Sequence, residues 1–75
     1  MTGQADAVII VYSTNHAVHI EKLLKGRGVA CKMIPVPRHI SSDCGVCLRI
    51  GRADIEAAEQ VVKTAGIEIQ GIYPV

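Results

Sequence analysis

The sequence predicts an α+β fold built around one small core, and three observations carry that expectation. The chain has 75 residues, about half of a usual domain, so a single domain spans residues 1–75. Its hydrophobic fraction is 49%, which supplies the apolar surface a short chain needs against the entropy of ordering. The chain also repeats itself. A shift of 38 positions lays Glu21, Leu23, Leu24, Lys25, Gly28 and Val29 on Glu59, Val61, Val62, Lys63, Gly66 and Ile67, and lays Val8, Ile10 and Tyr12 on Val46, Leu48 and Ile50. Two copies of strand, helix, strand follow.

In the first copy, residues 7–12 are short and β-branched and read as a strand. Ser13 or Thr14 can cap the helix that comes next, because either hydroxyl accepts from an orphan N–H of the first turn. Ala17, Ile20 and Leu24 recur at helical spacing and form one apolar stripe, while Glu21 and Lys25 make an i,i+4 pair on the wet side. His19 falls on that wet side too. Gly28 stops the helix, and residues 29–34 form the second strand. In the second copy, residues 46–50 are the strand, Ile55, Ala58 and Val62 the stripe, Glu59 and Lys63 the pair, Gly66 the stop, and residues 67–73 the last strand.

The order is βαββαβ. Right-handed crossovers place both helices on one face, so the expected architecture is a ferredoxin-like two-layer sandwich with a four-stranded antiparallel sheet. Period-2 alternation points Val29, Cys31, Met33, Ile67 and Ile69 at the helices and leaves Lys32, Glu68 and Gln70 on the open face. On the inner strands it assigns Ile9, Val11, Cys47 and Arg49 to that open face. An uncovered Ile9 and Val11 would favour a homodimer through the sheet.

Composition excludes several functions. With net charge +1, no Phe or Trp and two Tyr (Tyr12 and Tyr73), nucleic acid finds neither an electrostatic field nor rings to stack on. The longest apolar run, residues 7–12, is far short of the ~20 residues of a membrane span, so no membrane partner is expected. Gln4 and Asp6 replace the basic start of a secretion signal. Three cysteines, Cys31, Cys44 and Cys47, cannot all pair within one chain, which favours a reducing, cytosolic setting.

The connection over residues 35–45 breaks the economy of the rest: it has eleven residues where a hairpin takes about two to five. It holds Pro35 and Pro37, which stiffen it, and Arg38, His39, Ser41, Ser42, Asp43, Cys44 and Gly45. In this topology the first two strands finish at one sheet edge, so the connection neighbours residues 13–16 at the N-terminus of the first helix. That end carries unpaired N–H groups and the positive end of the dipole. Cys44 is the natural anion there, since a thiol near a helix start and near Arg or His⁺ loses its proton more easily. Asp43 works against that unless it points away. Arg38, His39 and His16 are the cationic helpers. Ser41, Ser42 and the backbone at Gly45 can hydrogen-bond a sulfur or selenium anion, and Thr14 joins them from the helix start.

At this connection the chain resembles a family of small selenium/sulfur carrier-like domains. The resemblance rests on Ser13-Thr14-Asn15-His16-Ala17, on residues 21–28, and above all on Ile34-Pro35-Val36-Pro37-Arg38 with Ile40-Ser41-Ser42-Asp43-Cys44-Gly45 through Leu48-Arg49. It implies a cysteine that carries chalcogen: Cys44 as carrier, with Ser41, Ser42 and Gly45 around it. It also implies donor and acceptor proteins as partners, and a carrier rather than an enzyme with its own turnover. Cys47 departs from the family pattern and opens a two-thiol alternative in which it resolves Cys44.

Other chemistry fits less well. Cys44-Gly45-Val46-Cys47 spells a C-x-x-C, yet it opens onto a strand instead of a helix, which disfavours thioredoxin-like redox work. Cys44, Cys47, His39 and His16 can be drawn around a metal, but a second ligand pair at zinc spacing is missing, so neither metal nor cofactor is expected. A nucleophilic enzyme would need a base and its orienting partner beside Cys44. The competing class is a binding module whose connection over residues 35–45 recognises an anion or a protein, with the cysteines incidental.

Overall fold

The computed structural model describes residues 6–36 and 45–74. Along the chain come β1 (Asp6–Val11), α1 (Thr14–Gly26), β2 (Cys31–Pro35), β3 (Val46–Gly51), a short 3-10 turn (Arg52–Asp54), α2 (Ile55–Ala65) and β4 (Ile69–Pro74). The four strands form one antiparallel sheet in the order β2-β3-β1-β4, an α+β fold.

Local chemistry sets the helix ends. Ser13 is extended and its Oγ accepts the His16 N–H at 3.3 Å, satisfying one orphan donor of α1. At the other end Val29 N–H reaches Leu24 O at 2.9 Å and Gly28 N–H reaches Lys25 O at 3.0 Å, with Gly28 left-handed at φ 79°. Ile67, Val62, Gly66 and Lys63 repeat those two bonds at the end of α2, with Gly66 at φ 69°. Both are Schellman closures, in which glycine takes the turn that a side chain resists and the next residue folds back onto the helix. Glu21 and Lys25 pair at 3.6 Å as expected. Glu59 and Lys63, their counterparts, make no ion pair among the described residues and are both exposed.

Ala17, Ile20 and Leu24 of α1 and Ala58, Val61 and Val62 of α2 are buried against Ala7, Ile9, Val11, Leu48 and Ile50. Both helices therefore cover one face, and Val29, Cys31, Met33, Ile67 and Ile69 pack against that cluster as the alternation predicts. Each large aliphatic side chain so buried contributes about 1.5–3 kcal/mol.

The expected faces of β1 are reversed. Ile9 and Val11 belong to the helix side, and Val8 and Ile10 to the open side with Cys47. Cross-strand partners share a face, and Ile9 sits opposite Leu48 and Ile10 opposite Cys47. The repeat slips by one residue between strand and helix, because the 3-10 turn before α2 replaces the Tyr12-Ser13 link before α1. A one-residue slip flips every side chain of a strand. The apolar pair that suggested a homodimer is thus under the helices, and Val8 and Ile10 are themselves fully buried.

A bulge in β4 shifts the alternation again. Ile10 faces Gly71 but Val11 faces Ile69, so Gln70 sits in the bulge and is half-buried instead of standing on the open face. Beyond the bulge, Ile72 lies opposite Ile9 and Tyr73 opposite Val8.

Candidate functional site

The pairing fixes one edge of the sheet as the meeting place of the sequence-derived residues. Ile10 lies opposite Cys47 and Pro35 opposite Val46, so β1 and β2 end where β3 begins. The first turn of α1 follows β1 directly at this edge. Val36 N–H donates to Gly45 O at 3.1 Å, which ties together the two ends of the long connection. Gly45 is exposed with φ 81°, a left-handed turn that any Cβ would strain.

The opening turn of α1 carries no acidic residue, so no carboxylate of that turn neutralises the positive end of its dipole. Thr14 is exposed on that turn. His16 is half-buried, and its Nδ1 is buried with no hydrogen-bond partner among the described residues. Thr14, His16, Gly45 and Cys47 are thus brought to one edge. Arg38, His39, Ser41, Ser42 and Cys44 lie outside the described residues.

Cys47 corrects an expectation. Its strand face is the open one, as alternation predicts, but it is an interior thiol and not an exposed one. It has 0% exposure, packs with Val8, Ile10, Ile34 and Val36, and donates weakly to Pro35 O at 3.9 Å. Cys31 is the core thiol it was expected to be: half-buried on the helix side, donating to Glu21 O at 3.8 Å. Burial pushes its pKa up, the Glu21 carboxylate adds to this, and Lys25 pulls the other way. Neither thiol has the electropositive exposure that makes a cysteine nucleophilic.

Sequence reasoning missed a charged group at the opposite edge. Arg49 donates through Nε to Asp6 Oδ2 at 2.8 Å and also through Nη2, while Lys32 stands directly opposite Arg49 on β2. Strand register joins these residues, and register cannot be read until the faces of β1 are known. Among the described residues no group of three His, Cys, Asp or Glu side chains could hold a metal ion. No helix of the described residues is long and apolar enough to cross a membrane.

A family model described as "Putative Se/S carrier protein-like" matches residues 6–74. The chain belongs to this family. No curated protein and no solved structure matches it. Membership of a family described in this way implies interaction with other proteins in selenium or sulfur transfer. The match runs through the whole sheet, both helices and the long connection.

Proposed function

We propose that this ferredoxin-like domain is a cytosolic carrier of sulfur or selenium that holds the atom on Cys44 as a persulfide or selenenylsulfide and passes it to an acceptor protein. The observation that supports this most is the Val36–Gly45 bond, which ties the two described ends of the connection at the sheet edge where α1, with no acidic residue in its first turn, also begins. A thiolate, and the persulfide anion that replaces it, both gain from the dipole of that helix and its N–H groups. Arg38, His39, His16, Thr14, Ser41, Ser42 and Gly45 would hold the anion.

The chemistry balances without an added oxidant. The Cys44 thiolate attacks the outer sulfur of a donor persulfide, forms the new S–S bond and releases the donor thiolate. An acceptor thiolate then takes the outer atom and returns Cys44 as thiolate. Burial of Cys31 and Cys47 leaves the donor and acceptor to supply the other thiols.

Intact mass after anaerobic incubation with a persulfide donor, glutathione persulfide, or with its selenium analogue, glutathioselenol, tests this. A reductant-sensitive gain of about 32 or about 80 mass units, for one sulfur or selenium, is expected in wild type, Cys31→Ser and Cys47→Ser and absent from Cys44→Ser. Loading that survives Cys44→Ser overturns the proposal. A loss of two hydrogens that requires both Cys44 and Cys47 replaces it with a dithiol mechanism.

A further inference from the structure

The edge of the sheet far from the long connection carries an unusual arrangement. Lys32 and Arg49 are directly opposite one another on β2 and β3, and like charges in that relation destabilise a sheet. Asp6 compensates only Arg49, through a single carboxylate oxygen. A shallow cleft opens there, lined by Asp6, Ala30, Lys32, Arg49 and Gly51 among others. Arg52, just after Gly51, is exposed. Lys32 and Arg52 make no ion pair among the described residues. The carboxylate of Asp54 also reaches this edge, within 3.2 Å of where a Cβ on Gly51 would stand. Within the lining, two cations, Lys32 and Arg49, meet one carboxylate, Asp6.

We propose that this cleft, with Lys32 and Arg49 at its centre and Arg52 following its lining residue Gly51, is a docking surface for an acidic segment of a partner protein. A carboxylate seated between Lys32 and Arg49 removes the cross-strand repulsion that the unbound sheet tolerates, so binding and sheet stability are linked. The chain has net charge +1 and two aromatic residues, which favours carboxylates of a protein over a polynucleotide that needs longer basic tracts and stacking rings. A partner held here leaves the opposite edge, where the long connection is tied, unobstructed. The inference does not depend on the chalcogen reading.

A simpler role for Lys32 is to keep the edge strand β2 from pairing with another chain, a task that any charge performs. Titration of the isotope-labelled full chain with a hexaglutamate peptide at low salt, followed by amide shifts, separates the two roles. Shifts are expected at Cys31, Lys32, Arg49 and Arg52, with binding weakened on the order of tenfold in Lys32→Glu, less in Lys32→Gln, and also by added salt. Lys32→Glu is also expected to melt higher than wild type without peptide, which shows that it folds. Shifts absent or centred elsewhere, equal binding by Lys32→Glu, or tighter binding of a single-stranded oligonucleotide of equal charge would each overturn the proposal.

Discussion

The Tyr73 phenol lies across Gly71, its hydroxyl 2.9 Å and its ring carbons 3.0 and 3.1 Å from the point that a Cβ on residue 71 would occupy. Gly71 sits opposite Ile10 and Tyr73 opposite Val8, so the ring extends along β4 on the face away from the helices. A strand glycine normally weakens a sheet, and here its missing side chain is the space that the ring uses. Gly71→Ala forces the half-exposed ring away from residue 71. The expected cost is about 1–3 kcal/mol, read from urea unfolding. In a Gly71→Ala/Tyr73→Ser double variant the costs add to less than their sum, because the second change removes the clash. Strict additivity would show that the two residues are not in contact.

The matched helix ends give a second prediction. Gly28 and Gly66 are both left-handed with open space where a Cβ would go, so the penalty of substitution comes from the backbone alone. Gly28→Ala and Gly66→Ala are each expected to lower stability by about 1 kcal/mol. The sites are far apart in sequence and share no closure bond, so their effects should add. A neutral result at either site would mean that its turn is not held by glycine.

Much of this fold is legible in the sequence because helices and their stops are local. Ser13, the Ala17/Ile20/Leu24 stripe and the paired glycines each act within one or two turns, and all occupy the expected places. Strand faces are not local in that sense. Residues 7–11 are apolar at every position, so alternation contains no phase, and only the register against β3 decides that Ile9 and Val11 go under the helices. The same reason hid the Asp6–Arg49 pair and the burial of Cys47. Thr14, His16 and Gly45 were legible as neighbours because topology alone brings their edge together, whereas Lys32 beside Arg49 required the register.

Cys47 is predicted to be silent toward solvent. With 0% exposure and apolar neighbours on both adjacent strands, it should resist alkylation in the native chain and react fully in urea, as mass-mapped labelling with iodoacetamide would show. Cys47→Ser places a hydroxyl among Val8, Ile10, Ile34 and Val36, with an expected cost of about 1–3 kcal/mol. Rapid native labelling of Cys47, or a stabilising Cys47→Ser, would contradict its interior position.

Cys31 predicts an alkaline limb of the stability profile. Its thiol is held above the ordinary value of 9.0, first by burial and then by Glu21, with Lys25 opposing. The folded state therefore keeps this proton at a pH where the unfolded chain has released it, and folding is disfavoured in that window. Below pH 9.0 the group makes no demand. As pH rises from there through the folded value, stability falls progressively, and the loss is complete once the native thiol has also ionised. Cys31→Ala removes this contribution. Urea unfolding at stepped pH should then show wild type losing more stability than Cys31→Ala between neutral and strongly alkaline solution, with the two curves parallel below the unfolded value. Parallel curves throughout would place the thiol in solvent. A wild type that gains on the variant as pH rises would mean that Lys25 outweighs burial and Glu21 together.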